Sequence, residues 1–191
     1  MKISIFNTKG GVGKTPIALS LAIDLNLHYY TNEVSTALEG LKGTFIDTSK
    51  EKVVDMQIED NAIFDFGGFE DSIGLLIQIC DLVIIPTTKD LNSLIKCVEC
   101  MNVIQKFNKN IMVVATKVRQ DEPEKIIREI GDFVQVPFHR LDESTIFESV
   151  IRQNKSVLQL ANNAYFWKKI KMQYENFVAD ILKFCDNTRH S

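Results

Sequence analysis

The stretch Lys9-Gly10-Gly11-Val12-Gly13-Lys14-Thr15 gathers the residue types that hold a phosphorylated ligand. Successive backbone N–H groups of a glycine-rich loop curl around phosphate oxygens, and a helix starting behind the loop presents its positive dipole end to them. Gly10, Gly11 and Gly13 let the backbone come close, while Val12 and Pro16 complete the loop and its exit. Lys14 places an ammonium on the β- and γ-phosphates, and the Thr15 hydroxyl ligates the Mg2+ that bridges them. The general pattern G-x-x-x-x-G-K-(S/T) asks for glycine where Thr8 stands, so the match is to a variant of that loop. The ligand that fits is a nucleoside triphosphate, ATP with Mg2+.

Such a loop works only between a strand and a helix. Lys2–Asn7 reads as a short apolar strand, and Ile17–Leu25 has the apolar spacing of a buried helix. Leu27–Tyr30 is a second short strand; Thr44–Asp47 and Val53–Met56 are weaker ones between polar turns. Ala62–Asp65 is an apolar run ending in a carboxylate, and Phe66-Gly67-Gly68 then breaks the strand. Leu82–Pro86 and Ile111–Ala115 are continuous apolar runs, expected of central parallel strands covered on both faces. Leu91–Phe107 and Pro123–Ile130 read as helices and Val134–Phe138 as a last strand. Ala164–Phe184 is a long closing helix whose Trp167, Ile170, Tyr174, Phe177 and Ile181 share one stripe docked on the sheet. The fold class is α/β: a P-loop NTPase with a mostly parallel central sheet flanked by helices on both faces.

At 191 residues, with 45% hydrophobic and 25% charged, the chain is expected to form a single domain over 1–191. Its 22 basic and 25 acidic residues leave a formal charge of -3, which excludes a molecule that is basic all over. No apolar run spans a bilayer, and the first strand enters the glycine loop directly, so a cytoplasmic protein is expected. Cys80, Cys97, Cys100 and Cys185 are too scattered for a disulfide framework. Cys97 and Cys100 fall in a helix, without the second pair that a zinc tetrahedron needs.

The loop Lys9–Thr15 resembles the deviant Walker A motif of the ParA/MinD ATPases, which partition plasmids, chromosomes or division proteins. Ala62–Gly68 is similar to that family's Walker B and switch II, and Asp81–Ser93 to its "aDlviiP" strand and following helix. The resemblance is to a small ParA-like ATPase without an N-terminal DNA-binding domain. It implies an ATP-sandwiched homodimer in which Lys9 reaches the partner's phosphates, much as an arginine finger does. It also implies that Asp65 holds the Mg2+ shell through water.

Two departures bear on activity. Pro16 stands where the family has Thr or Ser, and its missing N–H removes a phosphate contact worth about 1–3 kcal/mol. Where the family has an Asp-x-Asp-Pro-Gln-like switch I, the chain reads Tyr30-Thr31-Asn32-Glu33. Glu33 then takes the place of the carboxylate that positions the attacking water, displaced by more than about an ångström, and hydrolysis is expected to be slow. Asp47 is the alternative carboxylate. The catalytic set is therefore Lys9, Lys14 and Glu33.

The resemblance further implies nonspecific DNA binding, for which Arg140, Arg152, Lys155, Lys168, Lys169 and Lys171 are candidates, diluted by Asp142, Glu143, Glu148 and Glu175. A centromere-binding or adaptor protein is an expected partner. A membrane is not, because the tail after Phe184 is polar. Base contacts are expected from Thr116-Lys117 and the segment near Pro137. Two alternatives stay open: an ATP-gated dimeric module with little hydrolysis, and a small-molecule ligase of the dethiobiotin synthetase type.

Overall fold

A computed structural model describes residues 1–32, 42–47, 57–67, 71–119, 122, 125, 126, 128, 136–162 and 164–189. The strands are β1 (Lys2–Phe6), β2 (His28–Thr31), β3 (Gly43–Phe45), β4 (Ala62–Phe66), β5 (Leu82–Thr87), β6 (Ile111–Val118) and β7 (Phe138–Asp142). The helices are α1 (Lys14–Asp24), α2 (Asp71–Gln78), α3 (Leu91–Ile104), α4 (Ile146–Gln153), α5 (Val157–Ala161) and α6 (Lys168–Arg189), with a 3-10 turn at Tyr165–Trp167.

All seven strands form one parallel sheet in the order β3-β2-β4-β1-β5-β6-β7. Successive side chains on a strand point to opposite faces, so each strand feeds two cores. Ile3, Ile5, Ile63, Ile84, Met112 and Val114 pack with α1, α4, α5 and α6. Phe6, Phe64, Phe66, Val83, Ile85 and Val113 pack with α2 and α3. Cover on both faces explains why β5 and β6 read as unbroken apolar runs. The chain leaves β1 toward β2 and β3 on one side, returns to β4, and then crosses to β5 on the other. Ligands settle beyond the carboxyl ends of the strands at such a reversal.

Most expected elements appear with shifted ends. The last strand runs from Phe138 to Asp142; of the expected Val134–Phe138, Val134 and Gln135 lie outside the described residues and Val136 and Pro137 are not in the strand. Pro137 has no N–H for the ladder and contributes only its carbonyl, which accepts the Val113 amide at 2.9 Å. Pairing therefore starts after Pro137, and Leu141 becomes the fully buried residue. The first helix starts at Lys14, three residues before Ile17, with Pro16 in its first turn, where a missing N–H breaks no helical bond. The closing helix begins at Lys168, because Ala164 is extended and Tyr165-Phe166-Trp167 form the 3-10 turn. Its stripe Ile170, Tyr174, Phe177 and Ile181 is buried against β5 and β7, with Trp167 half-buried at the end. Val53–Met56 and most of Pro123–Ile130 lie outside the described residues. No helix among the described residues is long and apolar enough to cross a membrane.

Where α1 meets α6, a polar group interrupts the packing. The fully buried Tyr174 hydroxyl faces Asp24, the last residue of α1, without completing a hydrogen bond in good geometry among the described residues. Burial raises the Asp24 carboxyl above its usual range, and the hydroxyls of Ser156 and Tyr174 offset part of that. Since the folded protein keeps this proton at a pH where the unfolded chain releases it, stability falls as pH rises through that window. Asp24→Asn should therefore stabilise the protein at neutral pH, with the gain fading below about pH 4. Urea unfolding across pH would measure this, and a gain that persists in acid would refute it.

Candidate phosphate-binding site

The loop between β1 and α1 is pinned by the strands on either side of it. Asn7, fully buried just past β1, donates its Nδ2 to the Pro86 carbonyl at 2.8 Å and accepts the Lys9 amide on Oδ1 at 2.8 Å. Proline is tolerated in central β5 because β1–β5 pairing stops at Ile5↔Ile84, so no β1 carbonyl waits for its missing N–H. The Cys100 thiol of α3 lies 3.6 Å from the Thr8 hydroxyl and 3.9 Å from Asn7 Oδ1. Gly11 (φ +77°) and Gly13 (φ +89°) take left-handed conformations. A Cβ on Gly11 would meet nothing within 4 Å, so the need there is for backbone freedom, not for space.

The far side of the loop rests on the end of β6. Thr116 Oγ1 reaches the Val12 carbonyl at 2.7 Å and the Thr87 carbonyl at 3.2 Å. A bulge between Thr116 and Val118 throws Lys117 out of the ladder at φ +53°, and its Nζ donates to the Gly11 carbonyl at 2.8 Å. A non-glycine residue in that region costs on the order of 1–3 kcal/mol and persists only where its surroundings hold it. Carbonyl oxygens repel phosphate, so turning those of Gly11 and Val12 onto β6 keeps them out of an anion's way. Thr116 and Lys117, read from sequence as candidates for base contacts, hold the loop here.

Lys14, the first residue of α1, is 7% exposed, and its Nζ makes one hydrogen bond among the described residues, to the Lys9 carbonyl at 3.3 Å. No described carboxylate lies within ion-pair distance of it. A buried ammonium without a counter-charge is costly. Helix geometry leaves the Lys14 and Thr15 amides without intrahelical partners, and the first helical bond runs from Ile17 to Gly13 at 3.4 Å. Thr15 is half-buried. Lys9, also half-buried, faces the β5–α3 connection, where the Thr88 hydroxyl, the Ser93 amide and the Lys9 charge hold the Asp90 carboxyl below its usual range. Asp90 caps α3 through the Ser93 amide at 2.9 Å.

Asp65 of β4 is 1% exposed and shares with Ile63 the sheet face covered by α1. It lies in register with Ile5 of β1 and Thr31 of β2. The buried Tyr29 hydroxyl donates to Asp65 Oδ2 at 2.6 Å. Tyr29 had no signal in the sequence, because strand register decides which β2 side chain reaches β4. Just beyond, the Asn32 carboxamide exchanges two hydrogen bonds with Gly67. Asp47 is half-buried after edge strand β3, with β2 between it and β4. Glu33 lies outside the described residues.

Most basic residues proposed for DNA are paired. Asp142 takes Arg140 at 2.6 Å and Lys169 at 2.5 Å, and these partners with Gln173 keep its carboxyl below the usual range although burial works upward. Arg152 lies 3.9 Å from Glu148, and Lys171 lies 3.7 Å from Glu175. Lys155 and Lys168 are exposed without a described ion pair.

A parallel sheet whose first strand feeds a glycine loop and a helix with a buried lysine is the arrangement of a P-loop NTPase fold. No protein-family model and no curated protein matches the sequence. Solved structures do match. MinD from Pyrococcus horikoshii with Mg-ADP superposes with TM-score 0.69 at 12% identity, covering 98% of both chains. Apo McdA from Cyanothece gives TM-score 0.68 at 12% identity over 91% of this chain and 96% of that one. A putative plasmid partition protein from Borrelia burgdorferi, bound to AMPPNP, gives 0.66 at 15% identity over 95% and 98%. At these identities the likeness establishes the fold.

The hydrogen bonds under the loop give a direct test. Thr116→Val keeps the shape and loses the bond to Val12, so unfolding free energy should fall by about 1–3 kcal/mol in urea titration. An unchanged value would show that the loop does not lean on β6.

Proposed function

We propose that this chain, acting as one domain over residues 1–191, is a ParA/MinD-like ATPase that binds ATP with Mg2+ and turns it over slowly. The observation that carries this reading is the buried Lys14 ammonium, without a described counter-ion, at the start of α1. The site fits the ligand on independent grounds. Gly10 and Gly11 leave open space where side chains would stand, and the neighbouring carbonyls are turned onto β6. In this reading Gly10, Gly11, Val12, Gly13, Lys14 and Thr15 hold the phosphates. Mg2+ supplies charge neutralisation and orientation of the phosphate oxygens, with Thr15 as its ligand and Asp65 holding its water shell.

Lys9 acts across an ATP-dependent homodimer, and Glu33 positions the attacking water. Pro16 and the longer Glu33 side chain both slow the cycle, and an ATP-gated dimer with little turnover is the limit of that trend. Plasmid or chromosome partitioning, or positioning of another cargo, is the role that fits. Nonspecific DNA and an adaptor protein are the partners that fit this role, and the ion pairs of Arg140 and Lys169 with Asp142 reduce the basic surface open to DNA.

The test is light scattering with Mg-ATP, with ADP and without nucleotide, alongside phosphate release with and without DNA. ATP-specific dimers that Lys9→Ala abolishes are expected, with turnover lost in Lys14→Gln. A monomer in every state, with phosphoryl transfer only to a small carboxylate, would instead establish the ligase alternative. Pro16→Thr should tighten nucleotide binding by about 1–3 kcal/mol in calorimetry, by restoring an N–H to the first turn.

A further inference from the structure

Asn32 stands one residue past β2, and its side chain does what another strand residue would do. Its Nδ2 donates to the Gly67 carbonyl and its Oδ1 accepts the Gly67 amide, both at 3.0 Å. The reverse orientation of the carboxamide would set donor against donor. These bonds carry the β2–β4 pairing past Thr31↔Asp65, with a side-chain amide in place of a peptide group. β2 thus grips the end of β4 twice: Tyr29 holds the Asp65 carboxylate at 2.6 Å, and Asn32 holds the backbone two residues on.

Gly67 has no side chain to anchor it, so its place depends on these main-chain bonds. The grip sits at the carboxyl end of the sheet, beside the loop between β1 and α1, and away from Ile63 and Phe64, which are fully buried without it. Its loss would free the exit of β4 while leaving the core of the strand intact.

We propose that Asn32 is a positioning residue for the nucleotide site: it binds the ends of β2 and β4 into one unit and so fixes Asp65 relative to the phosphate loop. The proposal rests on the nucleotide reading above. Asn32 touches no substrate; it acts through Gly67 and Asp65. A carboxylate that shapes a metal's water shell from a fixed place loses that function when its support is released. The effect should therefore appear in the Mg2+ requirement more than in ATP affinity.

The experiment uses the full chain in two arms. In amide exchange without nucleotide, Asn32→Ala should speed exchange at Gly67 by at least about tenfold and leave Ile5 and Ile63 unmoved. In binding of a fluorescent ATP analogue and in ATP turnover, the same variant should need about tenfold more Mg2+ for half-maximal response, with affinity at saturating Mg2+ within about twofold of wild type. Asn32→Asp keeps the acceptor for the Gly67 amide and loses the donor, so it should fall between, and it stands in should Asn32→Ala fail to fold. Faster exchange with an unmoved Mg2+ curve would make the grip purely structural and overturn the proposal. Unchanged exchange at Gly67 would overturn it as well, with the nucleotide reading intact. A wild type that neither binds nor turns over ATP would sink that reading and this proposal together.

Discussion

A lysine ammonium held out of water at the first residue of α1 is the constraint around which the rest of this molecule is arranged. Lys14 is 7% exposed with one described hydrogen bond, at 3.3 Å. Leaving a cation so poorly compensated is unfavourable, and the fold sustains it only because two apolar cores fix the strand before the loop and the helix after it. β1 cannot shift, since Ile3 and Ile5 fill one core and Phe6 the other, and it pairs with β4 and β5. α1 cannot shift either, with Ile17, Ala18, Leu19 and Leu21 buried on the sheet.

The loop between them is then shaped from three directions. Asn7 ties its start to β5, Thr116 and Lys117 tie its middle to β6, and Gly13 turns it into the helix. The strained conformation of Lys117 belongs to this arrangement: the bulge that costs energy in β6 aims an ammonium at a loop carbonyl. In the proposed reading, a loop held in this way would offer a phosphate its amides with little ordering entropy left to lose on binding.

What the sequence reveals follows from the range of the interaction. The glycine loop, the runs of β5 and β6 and the stripe of α6 are local patterns, and each was legible. The ends of elements were not, wherever a single residue outweighed the pattern. Pro137 moved the start of β7 to Phe138, and the extended Ala164 with the 3-10 turn after it delayed α6 to Lys168. Contacts set by register were invisible: Tyr29 meets Asp65, and Asn32 meets Gly67, across strands more than thirty residues apart in the chain. Asp142 was legible as an acidic neighbour that dilutes the basic patch, but its ion pair with Lys169 of α6 was not, because only folding brings β7 against that helix.

The departures from the ParA/MinD pattern are unevenly placed, and their positions separate two functions. Lys9, Lys14 and Thr15, with glycines 10, 11 and 13, are all present around a loop whose supports are complete. The changes fall instead on Pro16 and on Tyr30-Thr31-Asn32-Glu33, at the exit of β2. There the chain has a neutral Thr31 in register with Asp65, and an Asn32 that spends its carboxamide on the backbone of β4. In the proposed reading, capture of the nucleotide needs only the first group, whereas turnover needs a carboxylate placed by the second. In that reading a β2 exit tied to Gly67 has less freedom to rearrange around a phosphate, so the interactions proposed to hold Asp65 in place would also slow the step that follows binding.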